Sequence, residues 1–168
     1  MRSETLIAGG IFALGLAVLG GWALSQSAGT AMAQAVDGPG PNLVIEVAGE
    51  ANGKIVIDML PDVAPKNVAQ IVALAKRGAY DGVVFHRVID GFMAQTGDVQ
   101  YGKASGDTAR AGMGGSDLPD LPAEFSDISF ERGVVGMARS QNPNSANSQF
   151  FIMFAPGAFL DGQYTVVG

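Results

Sequence analysis

The side chains able to do chemistry are gathered in two short segments. Residues 85–98 read Phe-His-Arg-Val-Ile-Asp-Gly-Phe-Met-Ala-Gln-Thr-Gly-Asp, and residues 147–151 read Asn-Ser-Gln-Phe-Phe. They hold the single histidine, His86, a guanidinium at Arg87, amides at Gln95 and Gln149, and several large apolar side chains. The absences narrow the chemistry. Cysteine is missing, which excludes disulfides, thiolate nucleophiles and zinc sites built from Cys and His. A Ser-His-Asp triad could use only His86, and Gly114-Gly115-Ser116-Asp117-Leu118 lacks the last glycine of a nucleophile elbow. No G-x-x-x-x-G-K-[ST] phosphate loop occurs. Asp117, Asp120 and Glu124 do not have the spacing of an EF-hand and read as a solvated acidic loop. A net charge of −6 gives no footprint for nucleic acid or an anionic membrane surface. What is left is a permanently charged fork of N–H donors set among flat apolar side chains.

These segments resemble the cyclophilin-type peptidyl-prolyl isomerases. The first is similar to the family signature F-H-R-x-I-x-G-F-M-x-Q-x-G-D at every fixed position, and Ser148 to Ile152 resembles the family's S-Q-F-F-I strand. Phe159-Leu160-Asp161-Gly162 is a third match, and the resemblance runs from Leu43 to Gly168. It implies a mainly β fold: a closed eight-stranded antiparallel barrel with capping helices. It also implies catalysis of X-Pro cis/trans isomerisation by a monomer on Pro-containing polypeptides, without metal or cofactor. The alternative is a non-catalytic chaperone or binding module that holds Pro-containing segments in the same groove.

The chemistry follows from the amide bond. Resonance stiffens it, with a rotation barrier of about 18–20 kcal/mol. Uncatalysed X-Pro exchange therefore takes tens to roughly hundreds of seconds. The twisted transition state loses the resonance, so the prolyl nitrogen can accept a hydrogen bond. A catalyst needs a fixed donor there and an apolar slot for the ring, and it must favour the twisted form over both planar forms. By resemblance Arg87 is the catalytic donor, and Gln95 positions it by accepting from the guanidinium. Phe92, Met93, Phe151 and Leu160 match the proline pocket, and Gln149 matches the family's other site glutamine. Ala138 and Arg139 are expected to pair with substrate through their main chain. Phe159 and Tyr164 complete the binding set. His86 and Phe150 are assigned structural roles, facing away from the site along their strands.

The surrounding elements follow from pattern. Leu43 to Val47 and Lys54 to Met59 read as a hairpin around an Asn52-Gly53 turn signal. A helix starts near Pro65, buries Val68, Ile71, Val72 and Ala75 on one stripe, and stops at Gly78. Val83–Ile89, Val134–Ala138 and Phe150–Phe154 read as strands, and residues 97–124 as a long functional or mobile loop. Ahead of these lies a linker, 36–42, and before it residues 1–35. Arg2, the uncharged run Leu6 to Leu24, and the A-x-A sites ending at Ala33 and Ala35 have the form of a signal peptide. The competing reading of that segment is an uncleaved membrane anchor. Either makes the domain exported, and the bacterial pattern of Phe159 and the Asn142–Ser145 loop suggests a periplasm, with tethering to the inner membrane if the segment stays.

The departures from the family pattern are Asp90 for a frequent Pro, Thr96 for Gly, Arg139 for Asn, Phe159 for Trp and Tyr164 for His. Members normally continue for about 30 residues past Val166-Val167-Gly168, so the last strand and second helix are expected to be missing. A chain of this length is expected to fold poorly, because an unclosed barrel leaves sticky edges. The Trp that Phe159 replaces contacts cyclosporin in many eukaryotic members. Weak cyclosporin inhibition is therefore predicted, and a titration showing tight inhibition would refute it.

Overall fold

The computed structural model describes residues 38–168. The expected signal peptide or anchor, and the start of the linker, lie outside the described residues. Six strands, one α-helix and one 3-10 turn follow in order: β1 (Asn42–Val47), β2 (Gly53–Asp58), α1 (Pro65–Lys76), β3 (Arg87–Ile89), β4 (Met93–Thr96), β5 (Val135–Met137), β6 (Phe150–Met153) and the turn Ala158–Leu160.

β1 and β2 form the expected antiparallel hairpin, from Asn42↔Asp58 to Val47↔Gly53. The turn is not built as the Asn-Gly signal suggests. Gly53 is already in β2, and the positive φ falls at Gly49 (132°). Asn52 instead clamps the loop by its amide, which donates to the Gly49 carbonyl at 3.2 Å and accepts from the Gly49 N–H at 3.3 Å. Asx side chains compete in this way for local backbone groups.

Helix α1 starts at Pro65 as expected, where the missing N–H is harmless. Gly78, at φ 70°, ends it. Its buried stripe is rotated from the expected one. Val68, Ile71 and Leu74 are buried with Asn67 and Gln70, while Val72 and Ala75 are half-buried. The cause is polar. Asn67 Nδ2 reaches the Pro122 carbonyl and Glu124, and Gln70 Nε2 reaches the carbonyls of Pro119 and Asn147. The helix thus turns its amides toward the 117–124 loop.

That loop is not merely solvated. Ala64 gives the helix no side-chain cap, and Glu124, 58 residues after Lys66, supplies one. Its carboxylate accepts from the Lys66 and Asn67 N–H groups at 3.0–3.1 Å and from Asn67 Nδ2 at 2.7 Å. Unsatisfied N–H groups and the helix dipole both favour an anion there. Asp117 pairs with Arg77, and Asp120 accepts from Asn147. The three acids therefore diverge to three partners.

The second sheet has the order β3-β4-β6-β5, all antiparallel. The terminal segment 165–168 bonds to β5 on one side, through Met137 N–H to Thr165 and Val135 N–H to Gly168. On its other side the Val167 carbonyl accepts from Leu60 N–H at 2.9 Å. It links the second sheet to the segment that leaves β2.

A closed eight-stranded barrel is not observed. Closure requires two partners for every strand. Among the described residues β1 has only β2 as a strand partner and β3 only β4. The expected strand 83–89 is cut to Arg87–Ile89, with Val83 in an isolated bridge to Lys103. β5 and β6 are likewise shorter than expected by pattern.

Two apolar cores flank the second sheet. Phe150 packs with Ile71, Val68, Met137 and Val167 on the helix side. Phe151, its neighbour, packs with Phe130, Met93, Met153 and Leu160 on the other. Successive side chains on a strand point to opposite faces, so β6 divides structure from site.

Burial pushes the Glu124 carboxyl up, but the hydrogen bonds from Asn67 and Lys66 outweigh it and hold the group below the usual carboxylate range. A depressed folded-state value means stability present above the ordinary range and lost as pH falls through the folded value. Glu124→Ala is expected to destabilise the domain by about 1–2 kcal/mol at neutral pH. Urea melts of both proteins should converge on acidification, below the ordinary glutamate range.

Candidate active site

The register of the second sheet places one residue from each strand in a single row: Arg87 on β3, Gln95 on β4, Phe151 on β6 and Gly136 on β5. Directly opposed residues share a face. The row therefore carries a guanidinium, an amide, an aromatic ring and a gap across one surface. Two residues along, Met93 opposes Met153 on that same face.

The gap is required. A Cβ on Gly136 would lie 2.6 Å from ring atoms of both Phe130 and Phe151. Without it, the two rings stack at 5.7 Å and 23°. Phe130, which is fully buried, backs Phe151. Its N–H donates to Asp161 Oδ1 at 2.8 Å, which ties it to the turn that presents Leu160.

Above this floor opens a cleft of about 120 Å³. Phe92, Met93, Phe151 and Leu160 supply its apolar wall, with Arg87 and Gln95 on one side and Ala138, Arg139 and Tyr164 on the other. The Tyr164 ring meets Phe151 edge-on at 5.7 Å, a favoured aromatic geometry. Seven of the expected substrate residues and both expected catalytic residues thus converge. Two do not line this cleft. Phe159 is 65% exposed and leans on Phe92 at 5.7 Å, outside the apolar wall. Gln149 lines an adjacent polar hollow, which it shares with Gln95, Ala138 and Arg139.

Arg87 is exposed and makes no hydrogen bond or ion pair among the described residues. Gln95 stands directly across from it, but its Nε2 is committed to Gln149 Oε1 at 2.9 Å. Gln149 in turn donates to the carbonyls of Gly112 and Gly114, at 3.1 and 2.7 Å. The expected Arg87–Gln95 hydrogen bond is not formed. The Gln95 amide is instead oriented by a relay running back into the loop.

That loop is held by Asp98, the last residue of the first segment and one given no role from sequence. Its carboxylate is completely buried. It accepts from four backbone N–H groups, of Gln100, Tyr101, Gly112 and Gly114, at 2.7–3.0 Å. Burial pushes its carboxyl up, yet these donors pull it below the usual range. His86 lies beneath Gly112, where a Cβ would come within 2.9 Å of the imidazole. Gly112 has φ 97°, so only glycine fits on both counts. Burial lowers the His86 pKa, against the pull of Asp98 and Gln149. The ring fills the space beneath Gly112, and neither of its buried nitrogens has a hydrogen-bond partner among the described residues.

Arg139 lines the cleft as the sequence leads one to expect, but the expectation concerned its main chain, and the side chain is ordered as well. It lies over the Tyr164 ring at 4.3 Å, fixed by hydrogen bonds to the Gln163 carbonyl. Sequence alone offers no signal for this, since the Gln163 and Tyr164 contacts cross a separation of 24 residues or more.

Comparison with known proteins identifies the family and the fold. The family profile described as cyclophilin type peptidyl-prolyl cis-trans isomerase/CLD matches residues 43–168. A probable peptidyl-prolyl cis-trans isomerase of Brucella suis is 66% identical over 119 residues, covering 70% of this chain and 61% of that protein. A peptidyl-prolyl cis-trans isomerase of Schizosaccharomyces pombe is 40% identical over 116 residues, covering 69% and 71%. Among solved structures, a cyclophilin-type isomerase of Cryptosporidium parvum, crystallised in the presence of the dipeptide Ala-Pro, superposes with TM-score 0.60 at 29% identity, covering 69% and 71%. A cyclophilin from Hirschia baltica gives TM-score 0.58 at 29% identity, covering 69% and 59%. The chain belongs to the cyclophilin-type peptidyl-prolyl cis-trans isomerase family and has its mainly β fold. It spans about three fifths of the length of the Brucella relatives.

Asp98→Asn puts an amide N–H₂ among four N–H donors. The variant is expected to lose roughly 3 kcal/mol of stability, the scale of a hydrogen bond to a charged group plus an unsatisfied buried donor. Hydrogen exchange should accelerate first at Gly112 and Gly114.

Proposed function

We propose that the chain accelerates cis/trans isomerisation of X-Pro bonds in polypeptides folding outside the cytoplasm. The observation that carries this is Arg87: a guanidinium with no hydrogen-bond or ion-pair partner among the described residues, one strand from Gln95, at the rim of a cleft with an apolar wall. An exposed arginine is ordinarily solvated; what supports a ligand role here is that its donors border the cleft opposite Gln95, within the 85–98 signature.

The mechanism follows from the lining. The prolyl ring enters against Phe92, Met93, Phe151 and Leu160, where flat and thioether surfaces suit it. As the imide twists, its nitrogen becomes pyramidal and accepts from Arg87. The planar forms lack that basic lone pair, so the hydrogen bond stabilises the transition state selectively. Gln95 fixes the site beside Arg87, its own amide locked by Gln149. No proton is transferred and no covalent bond forms. The presence of Ala-Pro with the Cryptosporidium relative supports a Pro-containing ligand for this cleft. The leader-like segment 1–35 supports clients in an exported compartment, the periplasm.

Arg87→Ala is the test. With a short X-Pro peptide, kcat/KM should fall about 100-fold, the usual scale for removing one transition-state donor. Peptide affinity should change only a few-fold, because the apolar wall is intact. Equal turnover by the variant would contradict the assignment. A folded parent that binds but never turns over would make the cleft a holding site for Pro-containing segments.

A further inference from the structure

Arg139 is held as no surface arginine needs to be. Its guanidinium donates to the Gln163 carbonyl through Nε at 3.2 Å and Nη2 at 2.9 Å, and to Ser140 through Nη1 at 2.8 Å, with a longer bond to Gln141. One face rests on Tyr164 at 4.3 Å, and Tyr164 abuts Phe151 in the cleft floor. The side chain is half-buried and borders both the apolar cleft and the polar hollow. All these acceptors are neutral. Its charge is matched by no carboxylate: among the described residues the ion pair within 4 Å is Arg77 with Asp117.

Its charged neighbours strengthen the point. Arg87 lines the same cleft, and no acidic side chain does. Asp120 lines the polar hollow but is engaged with Asn147 Nδ2 at 2.9 Å. The cleft thus presents two cations without a counter-charge, on a chain whose net charge is −6. A rotamer already fixed loses little entropy on pairing, and a guanidinium has five N–H donors, of which the four bonds to Gln163, Ser140 and Gln141 leave one unengaged.

We propose that Arg139 makes the site selective for Pro-containing segments with an Asp or Glu within two residues of the proline, over those with Lys or Arg there. The proposal rests on the isomerase reading for its substrate class. It assigns the preference to the Arg139 side chain, not to its main chain.

The experiment uses the full chain and X-Pro peptides of one length, with a single Glu, Ala or Lys at each of the two positions on either side of the proline. Turnover and affinity, the latter by fluorescence anisotropy, are both read. At one or more positions the Glu peptide should exceed the Lys peptide about five-fold in kcat/KM and in affinity, the size of an exposed to partly buried ion pair. The difference should shrink at high salt. In Arg139→Gln the Glu-to-Lys ratio should fall to that expected from Arg87 alone, about two-fold or less, while Arg139→Lys should restore part of it. Each variant is normalised to its own Ala peptide, so general damage to the cleft cancels. A ratio near one in the parent, or a ratio unchanged in Arg139→Gln, overturns the proposal. Absent turnover with an Arg139-dependent affinity ratio would instead overturn the isomerase reading and leave the selectivity standing.

Discussion

The pairing of β4 between β3 and β6 is the constraint on which the site depends. It sets Arg87 opposite Gln95, and Gln95 opposite Phe151. Side chains alternate along a strand, so a slip of one residue would send the guanidinium and the ring to opposite faces. The register is fixed by burial on both sides. Ala94 and Phe150 pack away from the cleft, while Met93 and Phe151 pack toward it. A slip would exchange Phe150 and Phe151 between two differently built cores, which disfavours it. Gly136 completes the row by admitting the Phe130–Phe151 stack, which sets how deep the cleft floor lies.

Two carboxylates do for the loops what the sheet does for the strands. Asp98 gathers four N–H groups from residues 100–114, and Glu124 gathers two from the first turn of α1. Neither has a cationic partner as its main contact. Each is a backbone anion site turned inward, and each replaces regular structure over a stretch where little is formed. Residues 97–124 are long for a connection in a compact domain, yet they are anchored at both ends. The relay from Gly112 and Gly114 through Gln149 to Gln95 carries that order to the site.

The sequence was most legible where local physics decides. The hairpin, the helix with Pro65 and Gly78 at its ends, and the opposed roles of Phe150 and Phe151 follow from periodicity and backbone preference. The cleft residues were legible through the resemblance carried by residues 85–98 and 147–151. What escaped is long-range. The helix stripe is rotated because Asn67 and Gln70 find partners some 50 to 77 residues away. Glu124 as a helix cap, Phe130 as the support of Phe151, and Arg139 across Tyr164 are contacts between segments, with no spacing rule to announce them. Barrel closure was inferred from the family, and the strands described here leave β1 and β3 each with one strand partner.

The central claim is that Arg87 acts on the prolyl nitrogen over the Phe92–Phe151 cleft. A crystal structure of the chain with an Ala-Pro-containing peptide tests it most directly. The account predicts the ring against Phe92, Met93, Phe151 and Leu160, with an Arg87 N–H about 3 Å from the prolyl nitrogen, within hydrogen-bond range. A ring seated elsewhere, or an Arg87 turned away from the occupied cleft, would contradict it.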